Sequence, residues 1–143
     1  MRKTLGFTLM EMLTVVAIIS ILAAIAVPAY SKYVLRSRRV EGQILANTIA
    51  QAQERHFATY NRYARELTGA GRDTLGFSAA RCAAVSSTNC YYDATNVSPD
   101  DRRTFTVTLT PKLSQAVDKC GNLTLTDSGD KAFSGNETNG KCW

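Results

Sequence analysis

From Met12 to Val27 the chain carries no charge, and from Phe7 to Ala29 almost every residue is apolar. That length matches a bilayer-spanning helix, which needs roughly 20 apolar residues at about 1.5 Å each. The rest of the 143-residue chain is rich in Thr, Asn, Asp, Ser and Gly. Much of the 45% hydrophobic content is therefore committed to one segment. What remains must fold around a small core, and small cores need staples or partners. Length and composition suit one modest folded domain rather than a disordered chain.

The flanks of the apolar segment are as informative as the segment. A secretory signal has a shorter apolar region followed by a small-residue cleavage site. Here no A-x-A-like site follows, and the small residue resembling a processing point, Gly6, comes before the run. Glu11 is a lone carboxylate at the start of a membrane helix, which is costly and marks a functional position by default. Its plain alternative is a headgroup-level charge at the helix end. A helix N-terminus favours an anion. A cut after Gly6 would also create a positive amine on Phe7, about one turn from Glu11.

Gly6-Phe7-Thr8-Leu9-Met10-Glu11 followed by an uninterrupted apolar run resembles the class III signal of type IV prepilins and pseudopilins. The resemblance covers roughly the first thirty residues, with Met10 a mild departure. It implies that a prepilin peptidase cuts between Gly6 and Phe7 and methylates the new amine of Phe7. It implies that Glu11 neutralises the N-terminal amine of a neighbouring subunit during assembly, and that Pro28 is the helix-kinking proline. The implied partners are other pilin subunits in a filament, the peptidase, an inner-membrane assembly platform, and membrane lipid before assembly. The chain would then be an inner-membrane precursor with a periplasmic head, and later part of an extracellular pilus. Charge alone leaves orientation open, since Arg2 and Lys3 before the span are opposed by Lys32, Arg36, Arg38 and Arg39 after it.

The expected organisation is a leader over 1–6, a transmembrane and polymerisation helix over 7–30, an amphipathic helix over 31–65, and a loop-rich region with an antiparallel sheet over 66–143. Residues 31–65 are rich in helix formers. Val40, Ile44 and Thr48, with Leu45, Ile49 and Ala52 beside them, predict the buried stripe. Arg39, Glu41, Gln43, Gln53 and Glu54 predict the solvated face. Phe57, Tyr60 and Tyr63 suggest an aromatic anchor, and His56 a structural or exposed residue. Phe105–Thr110 and Leu123–Thr126 alternate as half-buried strands do. Asp127-Ser128-Gly129-Asp130 reads as a turn before a short strand Lys131–Phe133, and Cys90-Tyr91-Tyr92 as a strand start. The fold class is α+β: a long helix, half transmembrane and half amphipathic, packed on a small antiparallel sheet through Phe105, Val107, Leu109, Leu123 and Leu125. The resemblance implies the type IV pilin fold, and the C-terminal residues from Cys120 to Trp143 are similar to PilE-like minor pilins.

Cys82, Cys90, Cys120 and Cys142 form no C-x-x-C pair and the single histidine is remote, so disulfides are expected rather than a metal site. Of three connectivities, Cys82–Cys90 with Cys120–Cys142 closes two local loops, contributing roughly 2.5 and 3.5 kcal/mol in the chain-entropy model.

No P-loop, G-x-S-x-G, H-E-x-x-H or dinucleotide fingerprint occurs, so neither an enzyme nor a cofactor is expected. The net charge of +5 is too modest to identify a nucleic-acid binder. Two other functions remain beside the pilus subunit. One is a pseudopilin of a type II secretion system. The other is a pilus-tip minor pilin binding DNA or a host surface, with Arg102, Arg103, Lys112, Lys119, Lys131 and Lys141 as a candidate basic face.

Overall fold

A single helix, α1, runs from Leu9 to Tyr60. It begins where Thr8 accepts the Glu11 amide proton on its hydroxyl oxygen at 3.2 Å, an N-cap in the Thr-x-x-Glu pattern of a capping box. The helix passes through Pro28 without interruption. It ends earlier than the expected Arg65 because Asn61 adopts φ 53°, a left-handed cap residue whose N–H donates to the Phe57 carbonyl at 2.7 Å. The computed structural model describes residues 7–77, 90–99, 101–137 and 142–143. Between Arg36 and Ser37 the chain divides into two compact units.

In the first unit every described side chain from Phe7 to Tyr33 is exposed. The second unit contains the rest of α1 and six strands. β1 (Glu66–Thr68) and β2 (Thr74–Phe77) form a two-stranded parallel pair. β3 (Tyr92–Val97), β4 (Thr106–Pro111), β5 (Leu123–Thr126) and β6 (Lys131–Phe133) form an antiparallel sheet in that order. The period-2 pattern sets its register. Ala94 faces Leu109, Leu109 faces Leu123, and Val107 faces Leu125. These side chains turn to one face with Tyr92 and Phe105, and all are buried.

The core joins this sheet to Leu45, Ala46 and Ile49 of α1. The buried helix face is the expected one in part: Leu45, Ile49 and Ala52 are buried as expected, but the face is rotated away from Val40 and Ile44. Arg39, Gly42, Leu45, Ala46, Ile49, Ala52, Gln53 and His56 are buried at helical spacing, while Val40 and Ile44 are exposed. Arg39 and Gln53, expected on the solvated face, are inside it. Burying polar groups is favourable only when each is hydrogen-bonded, and all three polar side chains of this face are. Gly42 is required sterically: a Cβ there would lie 2.9 Å from the Tyr92 ring.

Candidate functional site

The chemistry of the first unit is sparse and local. Phe7 is 73% exposed, and Gly6, the other half of the expected cleavage site, lies outside the described residues. Glu11 occupies the third position of the helix, within the first turn, where amide protons lack intrahelical acceptors and an anion is favoured. The capping bond uses the Glu11 amide and not its carboxylate, which stays exposed. Hydroxyls within the apolar run turn back on the helix: Thr14 donates to the Glu11 carbonyl at 2.9 Å and Ser20 to the Val16 carbonyl at 2.8 Å. These hydroxyls are thus satisfied without water, as a hydrocarbon environment requires. The helix is long and apolar enough to cross a membrane.

In the second unit the polar side chains of α1 act as ties to the head. Arg39 makes a two-pronged pair with Asp118, Nε donating to Oδ2 at 3.0 Å and Nη2 to Oδ1 at 2.6 Å. Burial alone would lower the Arg39 pKa, but hydrogen bonding and attraction to Asp118 outweigh it and raise it. Gln115 extends the network, donating to Asp118 at 2.8 Å and to the Tyr92 hydroxyl at 3.1 Å. Burial pushes the Tyr92 phenol up to about 12. Gln53 grips the backbone of Ala64 from both sides, accepting its N–H at 2.8 Å and donating to its carbonyl at 2.9 Å. Both ring nitrogens of His56 lie 2.8 Å from carbonyl oxygens, those of Arg62 and Arg72. The histidine is thus a structural clamp on the segment that follows α1.

That segment gathers arginines. Asp73 is paired with Arg102 at 2.5 Å and with Arg62 at 3.2 Å. The Arg102 hydrogen bond, with the charges of Arg102, Arg62 and Arg65, holds the Asp73 carboxyl below the usual carboxylate range. Arg72 and Arg103 are exposed beside it. In sequence Arg62, Arg65, Arg72, Arg102 and Arg103 outnumber Glu66, Asp73, Asp100 and Asp101 by one. Only part of the expected basic face is therefore available. Arg102 is engaged with Asp73 and Lys112 is paired with Asp93. The Lys131 ammonium lies 5.4 Å from the Trp143 ring centre. Lys119 and Arg103 are exposed, and Lys141 lies outside the described residues. Arg62, Arg65 and Arg72 were not singled out from sequence. Their spacing is irregular, and folding of the loop against Asp73 is what collects them.

The C-terminal residues are stapled. Cys120 and Cys142 form a disulfide, and the Cys142 carbonyl accepts a hydrogen bond from Gln43 of α1 at 3.0 Å. Cys90 is also disulfide-bonded; Cys82, its expected partner, lies outside the described residues. Trp143 docks on β6, its indole N–H donating to the Ala132 carbonyl at 2.7 Å.

An exposed apolar helix carrying an acidic first turn, continued into a disulfide-bounded α+β head, defines a type IV pilin. A solved type IV pilin from Shewanella oneidensis shares this fold, with a TM-score of 0.53 and 24% identity over 76% of this chain and 97% of that one. The prokaryotic N-terminal methylation motif matches residues 1–27. The chain belongs to the family described as type IV minor pilin ComP, DNA uptake sequence receptor, whose model matches residues 28–124. It is also similar to the type IV major fimbrial protein FimA of Dichelobacter nodosus, 60% identical over 42 residues, 29% of this chain and 26% of FimA. The type IV major pilin protein PilE1 of Neisseria gonorrhoeae is 38% identical over 66 residues, 46% of this chain and 40% of that protein. The chain thus spans well under half the length of these relatives. The minor-pilin family match favours a pilus subunit over a secretion pseudopilin.

Proposed function

We propose that this minor pilin is made as an inner-membrane precursor with a periplasmic head. It is cut between Gly6 and Phe7, methylated on Phe7 by a prepilin peptidase, and drawn by an inner-membrane platform into a pilus with other pilin subunits. The observation that carries this reading is the apolar surface from Phe7 to Tyr30, exposed at every residue. A surface of that size needs a partner, first lipid and then the helices of other subunits. Glu11 supplies the register. A carboxylate in hydrocarbon strongly prefers an opposite charge, and the amine of Phe7 on a neighbouring subunit provides one. Mass spectrometry of sheared surface filaments tests this. An N-terminal methyl-Phe7 peptide is expected, and recovery of the chain in filaments with Met1–Gly6 attached would overturn it.

A second reading is favoured by the arginine cluster around Asp73 and by the family's description as a DNA uptake sequence receptor. On this reading the exposed guanidiniums of Arg72 and Arg103 contact DNA phosphates. Gel-shift titration of the full chain in detergent should show binding that weakens steeply with salt. Arg72→Ala with Arg103→Ala should flatten the salt slope by about 0.9 per phosphate contact removed. No shift at low salt removes this reading and leaves the filament role untouched.

A further inference from the structure

We propose that the head loop Lys112–Lys119 is a lipid-docking surface, which lays Leu113 and Val117 on an anionic bilayer before the subunit enters a filament. Leu113 and Val117 are 67% and 74% exposed. Single exposed apolar residues are ordinary on a protein surface, but three further observations distinguish this pair. Leu113 holds φ 53°, a left-handed conformation that is costly for a branched residue and collects at functional positions. The loop is also firmly held from beneath. Buried Gln115 and Asp118 tie it to Tyr92 and Arg39, and Arg38 donates to the Ser114 hydroxyl at 2.7 Å. The apolar pair is therefore presented on a fixed base.

The third observation is charge. Lys112 and Lys119 bracket the loop and Arg38 lies against it. Lys112 is paired with Asp93 yet 41% exposed. Basic side chains flanking exposed aliphatic ones make a surface for anionic headgroups with shallow apolar insertion beneath them. Chain connection supplies the proximity. The head begins at Ser37, ten residues after Val27, and Lys32 and Arg36 lie in between. A second copy of the chain fits less well, since like basic rims would meet.

The inference rests on reading residues 7–30 as a membrane anchor. The test is hydrogen exchange on the full chain inserted in nanodiscs of phosphatidylglycerol or of phosphatidylcholine. Exchange over 112–119 should be slower in phosphatidylglycerol by about fivefold, the effect of one basic contact to an anionic surface. The difference should vanish in Lys112→Gln with Lys119→Gln, and protection in both lipids should fall in Leu113→Ser with Val117→Ser, while β4 and β5 exchange unchanged and so report an intact head. Equal exchange in both lipids overturns the proposal. So does protection that follows the number of chains per disc rather than lipid charge. Failure of the chain to insert at all would instead overturn the anchor reading, and the docking proposal with it.

Discussion

In the first half of α1 the hydroxyl side chains turn back on their own helix; in the second half exposed Asn47 and Thr59 and half-buried Thr48 do the same, but the buried polar side chains reach away from it. Thr14, Ser20 and Ser31 each bond a carbonyl three or four residues earlier. Arg39, Gln43, Gln53 and His56 bond groups beyond the end of the helix, at Asp118, Cys142, Ala64, and Arg62 with Arg72. One continuous helix therefore serves two environments. The hydroxyls of the first half are satisfied within the helix while its apolar surface and the Glu11 carboxylate are not, so its partners come from outside the molecule. The second half finds its partners within the head, and its polar residues act as dowels that fix where the sheet docks.

The comparison breaks most sharply at Glu11. If the first half depends on external partners alone, Glu11→Ala should leave insertion and the melting of the head unchanged. Filament incorporation should drop by about tenfold or more, since 1.4 kcal/mol of lost pairing is already a factor of ten. Quantifying the subunit in sheared filaments against the membrane fraction checks it. Equal yield would leave Glu11 only its place as an anion in the first turn of the helix.

The mirror experiment removes a dowel. Asp118→Ala strands the buried Arg39 guanidinium and should destabilise the head by about 3–5 kcal/mol, read by denaturant titration. Replacing both partners, Arg39→Met with Asp118→Leu, should recover most of that loss, because the cost lies in the unpaired charge. A single-variant loss below about 1 kcal/mol would show that the pair is hydrated and that the helix docks by its apolar contacts alone.

Next in size is Gly42→Ala. In an exposed helix this change stabilises by up to about 1 kcal/mol. Here the added methyl meets the Tyr92 ring at 2.9 Å, so a net loss of about 1–3 kcal/mol is expected from overpacking. The sign is the informative part. A gain would mean that α1 and β3 separate easily, and that the second half of the helix is held less closely than its polar ties imply.

The pattern that failed in sequence was the face of the helix, and the reason is physical. Ranking residues by apolarity places Val40 and Ile44 inside and Arg39 and Gln53 outside. It cannot see that Arg39 has a carboxylate waiting 79 positions later, or that Gln53 matches the backbone of Ala64. The sheet was legible because alternation is local. Phe105, Val107, Leu109, Leu123 and Leu125 all enter the core as expected. The Asp127–Asp130 turn was legible from Ser, Gly and Asp, and its bonds are local, from Ser128 to Asp130 and from Asp130 to Thr126. The β1–β2 pair was not, because Glu66–Thr68 and Thr74–Phe77 are too short to show a period. The N-terminal motif was legible as a unit, but the bond from the Glu11 amide to the Thr8 hydroxyl that starts the helix was not read from it. The arginine cluster was hidden for the same reason as Arg39: its organising carboxylate, Asp73, is remote from Arg102 in sequence.

The smallest expected effect concerns that cluster and sharpens the contrast at the far end of α1. Asp73 has its pKa lowered in the folded state, so folding disfavours its protonation. Its contribution is fully present above the ordinary carboxylate value and is lost as pH falls through the lower, folded value. Acidification should therefore loosen residues 62–73 locally while the buried sheet keeps its protection. Global melting should barely move, because the Arg62–Asp73 pair is exposed to solvent on both sides and such pairs contribute little to stability. Carboxyl titration by NMR provides the direct measurement. Arg102→Gln should return the Asp73 midpoint towards the ordinary range, since Arg102 is the largest influence on it. If the midpoint stays low in that variant, Arg62 and Arg65 hold the carboxylate by themselves. Arg102 would then be free to add its charge to the exposed face beside Arg72 and Arg103.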